Sequence, residues 1–205
     1  MKYTELAAEL AQLLEADQIE KKDFVCRYFA SDDPSQFDAE KAELERNTKE
    51  RSARMLQILK EVDGEPSLSN IGTDGALAVS VLASHDGPEV LDEVLEAFEA
   101  LYQKDRNDCR YQSIPAMADA SRLAKRQPQR FGTQWFFDDT KYPFLPTVED
   151  FEHVNERRQE YGIEPLRWPR SLAMPESAQP WLSRSLEDMV MRDPTDDEYA
   201  ANLPG

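Results

Sequence analysis

The stretch Thr73-Asp-Gly-Ala-Leu-Ala-Val-Ser-Val-Leu-Ala-Ser-His-Asp86 is the most continuously apolar segment of a very polar chain. On a helix its alanines, valines and leucines leave almost no polar face, so the helix must be surrounded by protein. At about a dozen residues it is too short to cross a bilayer. It therefore predicts a buried central helix that begins at Thr73 as N-cap and ends at His85 and Asp86. The leucines and valine expected in the core are Leu77, Val81 and Leu82.

Apolar residues at helical spacing predict further helices on both sides of this segment. The predicted helices cover residues 4–18, 21–30, 35–62, 88–102, 114–125, 147–161 and 181–191. Residues 67–72 are expected to form a loop, and residues 131–145 a small hairpin. The predicted fold class is all-α: a single multi-helix domain, residues 1–192, around the central helix, with at most one small β-hairpin. Residues 193–205 form an acidic tail with little to bury, expected to be mobile or docked on its own domain.

The charge balance of the chain limits its partners. It has 41 acidic and 24 basic residues, a formal net charge of −17. Binding to nucleic acids depends on clustered lysines and arginines, so this balance argues against a nucleic-acid partner. Two interpretations remain: the charge only provides solubility, or it forms an acidic face for a basic protein partner.

Cysteine usage and the N-terminus indicate a reducing compartment. Cys26 and Cys109 are far apart and lack the spacing of a disulfide framework or a zinc site. The N-terminus runs straight into a helical pattern and lacks the apolar core of a signal peptide. We therefore expect a cytoplasmic protein with no membrane partner.

Four side chains are candidate ligand-binding residues: His85, Asp86, Gln134 and Arg158. The helix dipole favours a histidine at a helix C-terminus, so His85 has a structural reason for its position. Beside a carboxylate it is also a candidate general acid–base, and both interpretations stay open. Gln134 ends the stretch Phe131-Gly-Thr-Gln134 and offers both a donor and an acceptor.

Arg158 lies on the apolar face of the predicted helix 147–161 and is expected to be partly buried. A buried guanidinium needs a partner, and the partner is Asp86, another carboxylate or a bound anion. The neighbouring Arg157 falls on a different face and is expected to be solvated.

The middle of the predicted helix 35–62 is polar on all sides. Such a stretch is usually solvated, with ion pairs between residues one turn apart. Alternatively Asn47, Arg51 and Arg54, which are spaced four and three residues apart, face a shared groove.

Several short motifs in this order resemble an uncharacterised bacterial family of small helical domains. They are His85-Asp86, Phe131-Gly-Thr-Gln134, Pro146-Thr-Val-Glu-Asp150, Val154-Asn-Glu-Arg-Arg158 and Tyr161-Gly-Ile-Glu-Pro-Leu166. The resemblance covers roughly residues 47–166. It implies a helical fold and suggests that His85, Gln134 and Arg158 belong together, but it implies no activity. The loop Asp63-Gly-Glu-Pro66 has an acid where the family pattern has a tryptophan before the proline.

Two functions are compatible with these residues. The first is a non-catalytic interaction protein, a neutraliser or adaptor that presents an acidic surface to a basic protein. The alternative is a small-ligand-binding or hydrolytic domain that uses His85, Gln134 and Arg158, with a small anionic ligand. No phosphate-binding loop or hydrolase motif is present, and no cofactor is predicted. With only His85 and His153 the chain has no multi-histidine metal site, and no metal site is predicted.

Overall fold

Seven α-helices and one small sheet make up the part of the protein that the structure describes. This structure, a computed structural model, describes residues 2–31, 33–137, 143–167 and 191–202. The helices are α1 (Thr4–Ala30), α2 (Asp38–Glu61), α3 (Leu68–Ser84), α4 (Pro88–Lys104), α5 (Ile114–Ala124), α6 (Val154–Glu160) and α7 (Asp196–Asn202). The strands are β1 (Phe136–Phe137), β2 (Pro143–Pro146) and β3 (Met191–Arg192). The predicted predominantly helical fold is confirmed. None of the described helices is long and apolar enough to span a membrane.

The apolar stretch forms the central helix α3, which packs against α1, α2, α4 and α5. Leu82 is 1% exposed, whereas Leu77 and Val81 are only half-buried. The prediction of a loop at residues 67–72 is wrong, since helical backbone begins at Leu68. The hydroxyl of Ser67 accepts a hydrogen bond from the Asn70 backbone N–H and caps the helix at this point. Gly72, with φ of 70° and ψ of −179°, has a non-helical backbone that glycine adopts readily, so it separates a short helical segment at residues 68–71 from the long helical run that follows.

The predicted hairpin is confirmed and belongs to a three-stranded sheet. β1 pairs antiparallel with β2, with Phe136 opposite Phe144. β3 pairs parallel with β2 and was not predicted. The helix predicted for residues 181–191 lies outside the described residues except for Met191, which is in β3.

The acidic tail docks on this sheet through α7. The ring of Tyr199 packs perpendicular to Phe136, with centroids 5.8 Å apart. Asn202 exchanges hydrogen bonds with the backbone of Phe137: its Oδ1 accepts at 2.8 Å, and its Nδ2 donates at 3.0 Å. Of the two expectations for this tail, the docked arrangement is the one observed for residues 193–202.

The helix predicted to open at Thr147 begins later. Asp150 has a left-handed backbone, with φ of 43°, so a helix cannot continue through it. A single 3-10 turn (Phe151–His153) leads into α6 instead. Thr147 donates its hydroxyl to Asp193 at 2.5 Å rather than capping a helix.

Candidate functional site

A buried carboxylate, that of Asp17, lies where α1, α2 and the end of α3 meet. Its side chain is 0% exposed. One oxygen, Oδ2, is 2.7 Å from Nδ1 of His85 and accepts from Gln18 at 3.3 Å. The other, Oδ1, is 3.5 Å from the Lys21 ammonium and 3.4 Å from the Arg51 guanidinium. We refer to Asp17, Lys21, Arg51 and His85 as the Asp17 centre.

The polar middle of α2 faces α1 and is not simply solvated. Asn47 donates to Glu20 at 2.5 Å, and Arg51 also pairs with Glu20. Arg54 pairs with both carboxylate oxygens of Glu9, at 2.6 and 2.7 Å. The three residues thus share the face that the groove interpretation assigned to them. Carboxylates of α1 fill that groove.

Burial and charge act in opposite directions on the titration of this centre. Burial alone would raise the pKa of Asp17. The hydrogen bond from His85 and the charges of His85, Lys21 and Arg51 outweigh this effect and lower the pKa below its usual range. Burial lowers the pKa of Lys21 to about 8, and the adjacent Arg51 adds to this, although Asp17 opposes both effects. The Lys21 ammonium therefore loses its proton at a lower pH than an ordinary lysine does, around pH 8.

His85 has the most exposed side chain of the Asp17 centre. Its side chain is 28% exposed, and its Nε2 has no hydrogen bond to any residue that the structure describes. Because Asp17 engages Nδ1, only Nε2 is left for a further hydrogen bond. The neighbouring Asp86 accepts from the Gly87 backbone at 2.6 Å, in the turn between α3 and α4.

Gln134 stabilises the loop in which it lies. Its side-chain amide donates to the Ala116 carbonyl at 3.1 Å. Its backbone N–H donates to the fully buried Gln129 at 2.7 Å, and Gln129 in turn donates to the Gln134 carbonyl at 3.0 Å. These contacts give Gln134 a structural role.

Asp119 organises the same loop and was missed by sequence reasoning. Its side chain is fully buried and accepts from the backbone of Arg130 (2.6 Å), Phe131 (3.0 Å) and Thr133 (2.8 Å), and from the Thr133 hydroxyl (2.8 Å). The available signal was a single acid among the alanines on the inner face of the predicted helix 114–125. A buried carboxylate on such a face requires donors.

Arg158 is half-buried, as predicted, but its partners are carbonyl groups. It donates to the backbone oxygens of Phe131 at 2.7 Å, Gly132 at 3.5 Å and Glu164 at 2.6 Å. Burial lowers its pKa, and the charge of Asp119 opposes this. Neither Asp86 nor any other carboxylate of the described residues pairs with Arg158, so the expectation of a carboxylate partner is wrong. Carbonyl oxygens also satisfy guanidinium donors.

Arg157, predicted to be solvated, is only 15% exposed in its side chain. It donates to the carbonyls of Arg130 (2.9 Å), Glu149 (2.6 Å) and Asp150 (3.0 Å), and so ties α6 to the turns before it.

The four candidate residues thus fall into two regions. His85 and Asp86 lie at the junction of α1, α3 and α4, whereas Gln134 and Arg158 hold the loop between α5 and α6. Within the described ranges, no hydrogen bond or ion pair joins His85 to Gln134 or Arg158.

The solvent face of α4 carries glutamates without a cation. These four exposed residues, the acidic stripe, are Glu89, Glu93, Glu96 and Glu99. None forms a salt bridge or side-chain hydrogen bond with a described residue. The lysines that pair nearby use other acids: Lys104 pairs with Glu65 and Lys125 with Asp92. The opposite face of α4 is held in the core by Leu91, Val94, Phe98 and Leu101. The stripe is therefore presented on a rigid element.

Comparisons with protein-family models, with curated proteins and with solved structures found no match to this chain. The family resemblance described above stays a prediction. In the described part of the chain, no group of three or more His, Cys, Asp or Glu side chains is arranged to hold a metal ion.

Proposed function

We propose that the protein is a non-catalytic binding protein whose α4 face docks a basic protein partner. The supporting observation is the acidic stripe, which has four negative charges and no neutralising cation among the described residues. By contrast, Glu9 pairs with Arg54, and Glu149 pairs with Arg122.

Unneutralised charges on one helix face repel one another, because residues three and four apart are neighbours. A partner that brings cations to this face relieves the repulsion. The stripe spans eleven residues, and its two ends lie about 15 Å apart along the helix axis. This length suits a short basic segment with lysines or arginines at each turn. The net charge of −17 steers such a partner toward the protein and speeds association.

Calorimetric titration with a short oligolysine peptide, at low and high salt, tests the proposal. Screening by salt should weaken binding strongly, since exposed charges interact over only about 8–10 Å at physiological ionic strength. Changing all four stripe residues from Glu to Gln should abolish most of the binding.

A matched control removes the same number of charges from α2 instead. Its substitutions are Asp38→Asn, Glu43→Gln, Glu45→Gln and Glu50→Gln, all at exposed positions. This variant should retain most of the affinity. Equal loss of affinity in both variants would mean that net charge alone drives binding, and the α4 face would lose its role.

We also propose, as the alternative function, that His85 binds a small anion. The supporting observation is the partly exposed His85 ring, whose Nε2 has no hydrogen bond to a described residue, with Lys21 and Arg51 on the same buried carboxylate. NMR titration with inorganic phosphate should shift the His85 ring signals. His153 is an internal control, because its Nδ1 is also 2.7 Å from an aspartate, but in a fully exposed pair. Equal shifts in both histidines would refute specific binding.

A further inference from the structure

A cluster of aromatic rings lies beside the C-terminal end of the acidic stripe. Tyr102 of α4 stacks on Tyr161, with centroids 5.5 Å apart, and lies 5.8 Å from Tyr111. Phe131 meets Tyr161 edge to face at 5.3 Å. Tyr102, Tyr111 and Tyr161 are half-buried, so part of each ring is accessible. Tyrosine is enriched at protein interfaces because it offers a large, rigid contact area.

Two guanidinium groups already lie against this cluster: that of Arg106, and that of Arg130, whose guanidinium carbon is 5.6 Å from the Phe131 ring centroid. The Arg106 guanidinium carbon is 4.5 Å from the Tyr111 ring centroid and 5.5 Å from that of Tyr102. Its Nη2 donates to the Glu160 carbonyl at 2.8 Å. Arg106 is exposed and forms no salt bridge with a described residue. We call the site formed by Tyr102, Tyr111 and the Glu160 carbonyl the arginine seat.

The seat is continuous with the acidic stripe. Glu99 precedes Tyr102 by three residues, and side chains at this spacing are neighbours on a helix. Burial raises the pKa of Tyr161, and Tyr102, Glu99 and Glu160 act in the same direction, whereas the charge of Arg130 opposes them. A cation that follows the stripe along α4 therefore arrives at aromatic rings.

We propose that the arginine seat receives an arginine side chain of the basic partner, which displaces Arg106. This inference rests on the proposed function, because it names the chemistry that the partner presents at one end of the stripe. A planar guanidinium stacks on aromatic rings and donates to a carbonyl at the same time, whereas an ammonium ion has no flat face to stack. The partner is thus an arginine-containing basic segment, not merely a cationic one. No covalent step is involved.

Two peptides of equal length and charge test this inference, one with arginines and one with lysines at the same positions. Calorimetric titration of the wild type should show a preference for the arginine peptide that is smaller than the roughly two- to fivefold supplied by an exposed cation–π contact, because the incoming arginine has to displace Arg106 from that contact. The variant Arg106→Gln should widen that preference, because the internal competitor is gone. Tyr111→Leu should remove it while leaving the lysine peptide's affinity unchanged.

The stripe variant with four Glu→Gln changes separates the two proposals. Arginine can also bind carboxylates better than lysine does. A preference for the arginine peptide that persists in Tyr111→Leu and disappears in the stripe variant would therefore overturn the arginine seat alone. Equal affinity for both peptides in the wild type and in Arg106→Gln would also overturn the seat alone. Absence of binding by either peptide to the wild type would overturn the proposed function together with the inference. Arg106 is on the surface, and circular dichroism of each variant checks that the helices are retained.

Discussion

Replacement of Asp17 by alanine is the sharpest test of the Asp17 centre. The substitution removes a fully buried carboxylate and leaves His85, Lys21 and Arg51 without their common anion. Removing one member of a buried ion pair costs about 3–5 kcal/mol, because the remaining charge stays partly desolvated. The side chains of these three partners are 28%, 23% and 14% exposed, so water reaches them in part. We therefore expect a loss near the lower end, about 3 kcal/mol.

Urea unfolding followed by circular dichroism measures this loss, provided that the dependence of the free energy on urea is unchanged. Glu9→Ala is the matched control, because Glu9 is also on α1 and also pairs with an arginine of α2, but in a more exposed position, with 37% of its side chain exposed. It should have a far smaller effect, since exposed ion pairs contribute little. If Asp17→Ala is no more harmful than Glu9→Ala, the centre does not hold the three helices together.

The pH dependence of the free energy of unfolding is an independent test of the role of Asp17. The pKa of Asp17 is lowered in the folded state, so its charge stabilises the fold above the unfolded-state pKa. That contribution is lost as pH falls through the folded-state pKa. The difference in stability between the wild type and Asp17→Ala should therefore shrink in acid, and a constant difference would contradict the electrostatic account.

Three further outcomes are expected. The pKa of Lys21 in the folded protein, about 8, lies below the usual 10.5 of a lysine, so the unfolded chain binds more protons between pH 8 and pH 10.5. The free energy of unfolding should therefore rise with pH in this range. Urea unfolding of Lys21→Met should lack this rise. Asp119→Asn places an amide against backbone N–H donors and should lower the free energy of unfolding by about 2–5 kcal/mol, because unsatisfied buried donors are expensive. The Phe131 amide should also exchange its hydrogen faster. Unchanged exchange would refute the role of Asp119 in holding this loop. Leu82→Ala should cost about 2–5 kcal/mol in urea unfolding, and the half-buried Leu77→Ala clearly less; equal losses would contradict the observed burial.

Hydrophobic patterns within single segments predicted the buried central helix, the amphipathic α4 and the small hairpin. The run from Ala76 to Ala83 has no polar face, so burial was its only stable outcome, and α3 is indeed central. The amphipathic spacing of α4 and the aromatic flanks of the hairpin also specify local structure through their own periodicity. These elements follow from the solvation preference of consecutive side chains.

Tertiary structure alone decided which polar groups meet. Arg51 has the same sequence context as a solvated helix residue, and only the packing of α2 on α1 brings it to Asp17 and Glu20. Arg158 satisfies its donors with backbone carbonyls, which every residue possesses and no side-chain pattern reveals. Hydrophobic burial can be predicted from the sequence because it depends on each residue's own apolar surface. A hydrogen bond or ion pair depends instead on the distance between two residues, and the fold sets that distance.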